Sequence, residues 1–508
     1  MFLNRSHVPL VLALLTGAIL PLAFAPYQLW WLAVLSPTAL LWFWKDASPK
    51  QALQLGFCYG LGFFGVGVSW VYVSIHYFGQ TDVPLALFIT ALFIIILALF
   101  PALNGYILKQ LYPNPKPNFA LCLVGFPSSW VLFEWIRSWI FSGFPWLYLG
   151  YTQIDTFLSN YAPILSVYGI SLAIVFSSGC IVAIINIPKK ENFKLRQLLP
   201  LLFLCGVWGG GYYLDKLQLT KPWTYSEGPV QTVALIQGNI NPLEKFPDNN
   251  PIFATDQIYG PLTENQWWLD LIIWPESAIP LPLPDAQDYI NFLDKKAKAH
   301  NITFITGLQV INNHNYYNAM IALGNNSSPL YYKRHLVPFG EYLPFDKLLR
   351  GLINFFDLPM SDFLEGPDDQ PLLKSGNLRI EPLICYEIAF PELVRSSLKD
   401  ANVIVNISED GWFGRSWGPY QHLQIARMRA LETNRYVLRA TTSGISAIID
   451  PKGKIVSASP QFKAMALNGS FQGMAGQTPW VQIGLWPLLG FLIVIFMLFA
   501  FINKTRKT

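Results

Sequence analysis

The chain has 508 residues, of which 52% are hydrophobic, 15% aromatic and only 13% charged, with a formal net charge of +4. A soluble globular protein carries about 25% charged residues, so this composition excludes a disordered chain, a coiled coil and a simple soluble globule. Five cysteines exclude a disulfide scaffold, and so small a charge without a basic, aromatic-interleaved stripe gives no footing for a nucleic-acid partner.

The missing charge is concentrated. From Ala52 to Leu108 the only formally charged residue is Asp82. A bilayer core of ~30 Å needs about 20 apolar residues per helix, so such stretches read as membrane spans. In chain order they fall near residues 8–24, 28–44, 54–77, 84–108, 118–140, 161–187, 198–214 and 481–503, about eight spans in all. The seventh is short and carries Gly209, Gly210 and Gly211, which membrane helices tolerate. The first resembles a signal peptide, with Arg5, an apolar run and then Ala23-Phe24-Ala25; Pro26 follows at once, and cleavage stays open. If every span crosses, Arg5, Lys45, Lys50, Lys109, Lys116, Lys189, Lys190, Lys194, Arg196, Lys504, Arg506 and Lys507 share one side. Only Arg137, Lys216 and Lys221 oppose them, which puts both termini in the cytoplasm by the positive-inside rule. Glu134 and Arg137, three residues apart on one span, are expected to pair with each other.

Three regions follow: a membrane domain at 1–214, an exported domain at 215–479, and a last span with a basic tail at 480–508. The exported region has ordinary charge density and enough residues for one core. Short apolar runs at 232–236, 271–274, 302–308, 317–323, 380–384, 402–407 and 446–450 read as buried strands. Helical patterns lie near 286–300, 390–399 and 419–436, and Pro451-Lys452-Gly453 reads as a turn between strands. This is an α/β layout with mixed strand directions, a sandwich with helices packed outside. The six histidines are scattered without metal-ligand spacing, so no metal or cofactor is implied.

Cys58, Cys122, Cys180 and Cys205 sit in apolar spans, where thiols behave as small buried hydrophobes. Cys385 alone belongs to the exported region, where an unpaired cysteine marks intermolecular pairing or a reactive thiol; a buried inert thiol is the plainer reading. Three strand-end segments carry residues capable of chemistry: Trp274-Pro275-Glu276, Lys333-Arg334-His335 running on to Glu341, and Cys385-Tyr386-Glu387. A thiol needs a base, which Glu276 could supply. A lysine and the N–H following the nucleophile could stabilise an oxyanion. Taken singly, Glu276 could cap or salt-bridge and Lys333 could be an edge charge. If residues 333–335 are extended, His335 shares a face with Lys333 and a Cys–His dyad stays in view.

These segments, in the order Glu, Lys, Cys with Trp-Pro-Glu and Cys-Tyr-Glu contexts, resemble the nitrilase (carbon–nitrogen hydrolase) superfamily. Longer strings resemble one of its branches, the apolipoprotein N-acyltransferases. They are GFFGVGVSWVYVSI at 62–75, EWIRSWIFSGFPWLYLGYTQ at 134–153, HLVPFGEYLP at 335–344, FFDLPM at 355–360, GWFG at 411–414 and ARMRALE at 426–432. The resemblance implies a polytopic helical membrane domain joined to an αββα sandwich. It implies Glu276 as general base, Lys333 as transition-state stabiliser and Cys385 as acylated nucleophile, supported by Glu341, Tyr386 and Glu387. Trp412, Phe246 and Phe356 are candidate substrate contacts. The family commonly reads Asn-Asp-x-Trp where this chain has Glu409-Asp410-Gly411-Trp412, which leaves the polar roles of that loop open.

The implied reaction moves an acyl chain from a membrane phospholipid through a cysteine thioester to the N-terminal amine of a diacylglyceryl apolipoprotein. At ~0.8 kcal/mol per buried CH₂, neither lipid leaves the bilayer readily, so the thiol must work at the membrane surface. Segments 352–360 and Trp412-Phe413 are then candidate arms dipping into the interface, or else ordinary core. The enzymatic rival is a membrane-tethered amidase with the same triad, which gives no reason for the spans. A transporter or receptor with an exported binding domain is the non-enzymatic rival, disfavoured by the scarcity of paired ionisable residues within the spans.

Overall fold

The computed structural model of the chain describes residues 7–112, 119–186, 198–241, 251–324, 330–344 and 362–505. Every stretch read as a span contains a helix. They run Val8–Ile19, Leu32–Lys45, Pro49–Gly67, Val83–Leu111, Phe126–Arg137, Ala162–Ile185, Leu199–Thr220 and Trp486–Thr505. Three helical stretches, Val83–Leu111, Phe157–Ile185 and Trp486–Asn503, are long and apolar enough to cross a bilayer, with mean hydropathies of 2.9, 2.2 and 2.3. A fourth is reached if Pro49–Gly67 and Trp70–Phe78, bent by 50° at their break, count as one span. The expected count of eight exceeds this because several apolar runs include turns: Val8–Ile19 and Leu32–Lys45 have only 12 and 14 residues.

Met1–Tyr72, Pro84–Pro222 and Ile483–Thr508 form one compact unit. Its helices Val8–Ile19 and Pro49–Gly67 meet backbone to backbone: a Cβ on Gly17 would lie 2.0 Å from the Tyr59 carbonyl, and one on Gly62 equally close to that of Leu14. Small residues allow this approach where apolar solvent offers no other drive for helix association. Helix Leu199–Thr220 buries only Pro200 and Gly211 and turns its apolar side chains outward, as a helix solvated by lipid does. Cys205 is therefore exposed and Cys58 half-buried, contrary to the expectation that all four span cysteines are buried; Cys122 and Cys180 are. Glu134 and Arg137 serve the backbone of the following loop. Glu134 accepts from Leu149 N at 3.0 Å and from Trp130 Nε1 at 3.2 Å, while Arg137 donates to the carbonyls of Phe144 and Trp146. Residues 144–148 form no helix and Leu149 only opens one, so these two side chains supply partners that helical bonds do not.

Val73–Val83 and Trp223–Gln482 form the second unit. Its strands are β1 (Thr224–Gln237), β2 (Leu271–Ile273), β3 (Thr303–Asn312), β4 (Asn315–Gly324), β5 (Tyr331–Tyr332), β6 (Leu373–Ser375), β7 (Leu378–Ile384), β8 (Val403–Ser408), β9 (Val437–Thr441), β10 (Ala447–Ile449), β11 (Ile455–Ala458) and β12 (Met465–Gly476). Two six-stranded sheets result, in the orders β12-β1-β2-β3-β4-β5 and β11-β10-β9-β8-β7-β6. Each has a parallel centre, β1-β2-β3 in one and β7-β8-β9 in the other, flanked by antiparallel strands. Alternation along β1 explains the layering. Val233 and Leu235 face Val405, Ile407 and Leu438 of the other sheet, whereas Ala234 and Ile236 face Tyr259, Ile290 and Leu293 of the outer helices Pro251–Glu264 and Gln287–Ala299. Helices Pro391–Ser397 and Gly418–Thr433 pack on the second sheet, completing an αββα sandwich. The turn at 451–453 joins β10 to β11 as expected.

Candidate active site

The parallel strands end on one side, and ligand sites form in the crevice outside such carboxyl ends. Glu276 follows β2, Cys385 follows β7, Glu409 and Asp410 follow β8, and Lys333 follows β5. Gly307 of β3 makes room for the first: a Cβ there would lie 2.6 Å from Ser277 N and 2.7 Å from the Glu276 Cα. Ser277 adopts φ +47° just after Glu276, which turns the chain sharply at the strand end.

Glu276, Lys333 and Glu341 are 5%, 1% and 6% exposed, too buried to be surface charges. The Lys333 ammonium donates to Glu341 Oε1 at 2.8 Å and lies 3.4 Å from Glu276 Oε1. Asn318 of β4 donates from one Nδ2 to both carboxylates, at 2.7 Å to Glu276 and 2.9 Å to Glu341. The remaining oxygens are held by main chain: Glu276 Oε2 accepts from Glu409 N, and Glu341 Oε2 from Val337 N, each at 2.8 Å. Burial would push the Lys333 pKa down, but Glu341, Glu276 and the neighbouring thiol hold it above its ordinary value. A lysine kept so firmly charged cannot act as a base; it offers a fixed positive charge.

Cys385 lies at φ +51° on a tight turn, Cys385–Ala389, that opens at the end of β7. The left-handed conformation breaks the strand and turns the side chain out of the sheet. Burial first, and then the Glu276 charge, raise the thiol pKa against the pull of Lys333, so the resting sulfur is protonated. Glu387 stitches the turn to the lysine segment: Oε2 accepts from Ile384 N at 2.7 Å, while Oε1 accepts from Arg334 N at 2.7 Å and the Tyr331 hydroxyl at 2.9 Å. Tyr386 packs edge-on to Phe390 with centroids 5.0 Å apart. His335 lies tilted against the same Phe390 with centroids 3.8 Å apart, and β5 stops at Tyr332. The extended face that would have paired His335 with Lys333 does not form.

A second buried cluster, unforeseen as a group, lies behind the turn. His422 Nε2 is 3.3 Å from the Cys385 carbonyl oxygen. Its Nδ1 meets Asp410 Oδ1 at 3.1 Å and Arg439 Nη2 at 2.9 Å. Arg439 grips both oxygens of Asp410, at 2.9 and 2.7 Å, and also donates to Asn406. Burial opposes ionisation of Asp410, but Arg439, His422 and Ser408 overcome it and hold the carboxyl well below the usual range. The sequence signal was faint: helix Gly418–Thr433 buries all its side chains but Tyr420, including His422, Gln424, Arg427, Arg429 and Glu432. Asn318, in a strand otherwise read as apolar, was also missed.

The loop of residues 409–414 resolves the departure noted at Glu409. Only its main-chain N–H serves Glu276, while its side chain accepts from Gly411 N at 3.1 Å, a cap that Asn would also make. Trp412 packs edge-on to Phe78 at 5.8 Å, and its carbonyl accepts from the Ser74 hydroxyl at 2.8 Å. Phe246, Phe356 and the arm 352–360 lie outside the described residues.

Residues 16–180 match the model of the apolipoprotein N-acyltransferase N-terminal domain, and 232–472 that of carbon–nitrogen hydrolase. An apolipoprotein N-acyltransferase of Coxiella burnetii is 42% identical over 97% of this chain and 99% of its own. One from Pseudomonas aeruginosa is 40% identical over 98% and 96%. The chain belongs to the apolipoprotein N-acyltransferase family. It is an acyltransferase, and its sandwich is the carbon–nitrogen hydrolase fold. A solved CN-hydrolase superfamily protein from Xanthomonas campestris is 18% identical, covering 48% of this chain and 91% of that one, with a TM-score of 0.37. Membership along nearly the whole length of the family's proteins accounts for both halves of the chain, which neither the amidase nor the transporter reading does.

Proposed function

We propose that the protein moves an acyl chain from a membrane phospholipid to the α-amine of a diacylglyceryl-cysteine at the N-terminus of an apolipoprotein, with Cys385 as the relay. The observation that carries this reading is a protonated thiol on a left-handed turn beside a buried Glu–Lys–Glu cluster, in a chain of this family. Glu276 takes the thiol proton as sulfur attacks the ester carbonyl. Lys333 and the Tyr386 N–H stabilise the tetrahedral oxyanion. Collapse breaks the C–O bond, the departing lysophospholipid alkoxide takes the proton from Glu276, and the acyl chain stays on sulfur as a thioester. The α-amine then attacks, giving its proton to Glu276; the C–S bond breaks, an amide forms and the thiolate recovers the proton.

Glu341 fixes the ammonium, Glu387 couples the two strand ends, and Tyr386 walls the nucleophile turn. Exclusion of water keeps the thioester from hydrolysis. The charge bias, the helix in every apolar stretch and the outward apolar faces support eight spans. They also support cytoplasmic termini and an exported catalytic region between the seventh and eighth spans, with the partition 1–214, 215–479 and 480–508. In a bacterium that places the protein in the inner membrane with its catalytic side in the periplasm. The test offers purified protein a phospholipid with and without a diacylglyceryl peptide, and mass spectrometry reads Cys385. One acyl chain on Cys385 without the peptide, and an N-acylated peptide with it, are expected. Free fatty acid alone, or an unmodified Cys385, would overturn the proposal.

A further inference from the structure

The peptide that joins Cys385 to Tyr386 carries two groups of consequence. Its carbonyl meets His422, and its N–H is the donor that follows the nucleophile. The only cis bond among the described residues is Ala25-Pro26, so this peptide is trans, and its C=O and N–H point in opposite directions within one plane. Whatever aims the carbonyl therefore aims the N–H. Cys385 itself sits at φ +51°, a conformation that a side-chain-bearing residue holds only when its surroundings fix it.

His422 is built to do the fixing. A carbonyl can only accept, so Nε2 carries the hydrogen. Burial and then the Arg439 charge lower the pKa of the ring against the pull of Asp410, and Nδ1 is held between Asp410 Oδ1 at 3.1 Å and Arg439 Nη2 at 2.9 Å. Arg439 is in turn clamped by Asp410 and Asn406, and Asn406 Nδ2 donates to the Leu383 carbonyl, two residues before the nucleophile. His422, Asp410 and Arg439 are all almost fully buried. The three come from different elements: helix Gly418–Thr433, the turn after β8, and β9. A ring held at both nitrogens this way has little rotational freedom.

We propose that His422 is a positioning residue for acyl transfer, which, by holding the Cys385 carbonyl, directs the Tyr386 N–H at the oxyanion. The inference rests on the reading of Cys385 as the acylated nucleophile. It separates two reactions of one thiol. Alkylation by iodoacetamide displaces iodide at a saturated carbon and builds no oxyanion. Acylation by a phospholipid builds one, and loss of a well-aimed donor is felt there alone.

The experiment compares wild type, His422→Phe, which keeps a ring but no donor, and His422→Gln, whose amide nitrogen reaches the Nε2 position. Both the alkylation rate and the phospholipid acylation rate are read at Cys385 by mass spectrometry on the full-length protein. For His422→Phe acylation should fall on the order of 10²-fold while alkylation stays within about twofold, and His422→Gln should recover most of the loss. If the Phe variant does not fold, His422→Asn, whose shorter amide withdraws the donor, carries the same comparison. Unchanged acylation in the donor-less variant overturns the proposal, and so does a parallel fall in both rates, which would mark general damage. Absence of an acyl chain on wild-type Cys385 would instead take down the underlying reading, and this one with it.

Discussion

Two buried polar clusters flank Cys385, and they differ in charge balance. In the first, the carboxylates of Glu276 and Glu341 share the single ammonium of Lys333, with Asn318 donating to both. One negative charge is left over next to a thiol, which adds to burial in raising the thiol pKa and leaves a carboxylate able to take its proton. In the second, one carboxylate, Asp410, meets one guanidinium, Arg439, and the His422 imidazole, its pKa lowered by burial, fills the remaining contact. Nothing is left over, and the cluster's outward bonds go to backbone carbonyls. An unbalanced cluster can move a proton; a balanced one can hold a shape. The same low-dielectric interior serves both, because every charge is hydrogen-bonded.

The sharpest way to break the comparison is at the atom between the clusters. Cys385→Ala should lower N-acylation of a diacylglyceryl peptide by at least on the order of 10⁴, with the protein still folded; activity near wild type would remove the relay. In the first cluster, Glu276→Gln keeps shape and hydrogen bonds but not basicity, and thioester formation on Cys385 should slow by about 10²–10⁴. In the second, Asp410→Asn should act on stability, costing about 3–5 kcal/mol at neutral pH in a denaturant titration, since Arg439 stays buried without its partner. The pH dependence has a fixed sign. A carboxyl whose folded pKa lies below its unfolded one contributes fully above about pH 4 and loses that contribution as pH falls. Wild type should lose stability on acidification below that value, and the variant should lose less.

Smaller effects sharpen the picture. Gly307→Ala places a methyl against the Glu276 backbone and should cost about 1–3 kcal/mol of stability with a measurable fall in acylation rate. Because the resting thiol is protonated, alkylation of Cys385 should keep rising with pH through about pH 9, the upper end of the ordinary thiol range. A plateau near neutrality would mean a preformed thiolate and a different role for Glu276.

Much of this was legible in the chain itself. The charge deficit marked each apolar helical stretch, the lone cysteine outside those stretches stood out, and short apolar runs located β2, β3, β4, β7, β8 and β10. β12 and the first half of β1 were not seen, because their polar, glycine and proline residues interrupt any apolar run where the two pair at the end of the sheet. Cys205 was misjudged because an apolar residue on a lipid-facing helix has the same sequence signature as one in a core. His335 was kept as a candidate through an assumed strand that in fact ends at Tyr332, before Lys333-Arg334-His335 turns toward Glu387.

The sequence by itself determined which stretches are apolar, which thiol stands apart and, through its motifs, the family, because composition, spacing and residue order are local properties of the chain. The tertiary structure alone decided that Asn318 bridges two carboxylates, that the Glu409 backbone holds Glu276, and that His422 rather than His335 touches the Cys385 peptide. Those are hydrogen bonds between residues 23 to 133 positions apart, 37 for His422 and Cys385, and no local pattern encodes them. They exist because parallel strands deliver their ends to one place, where a buried polar group must find its partner across the fold.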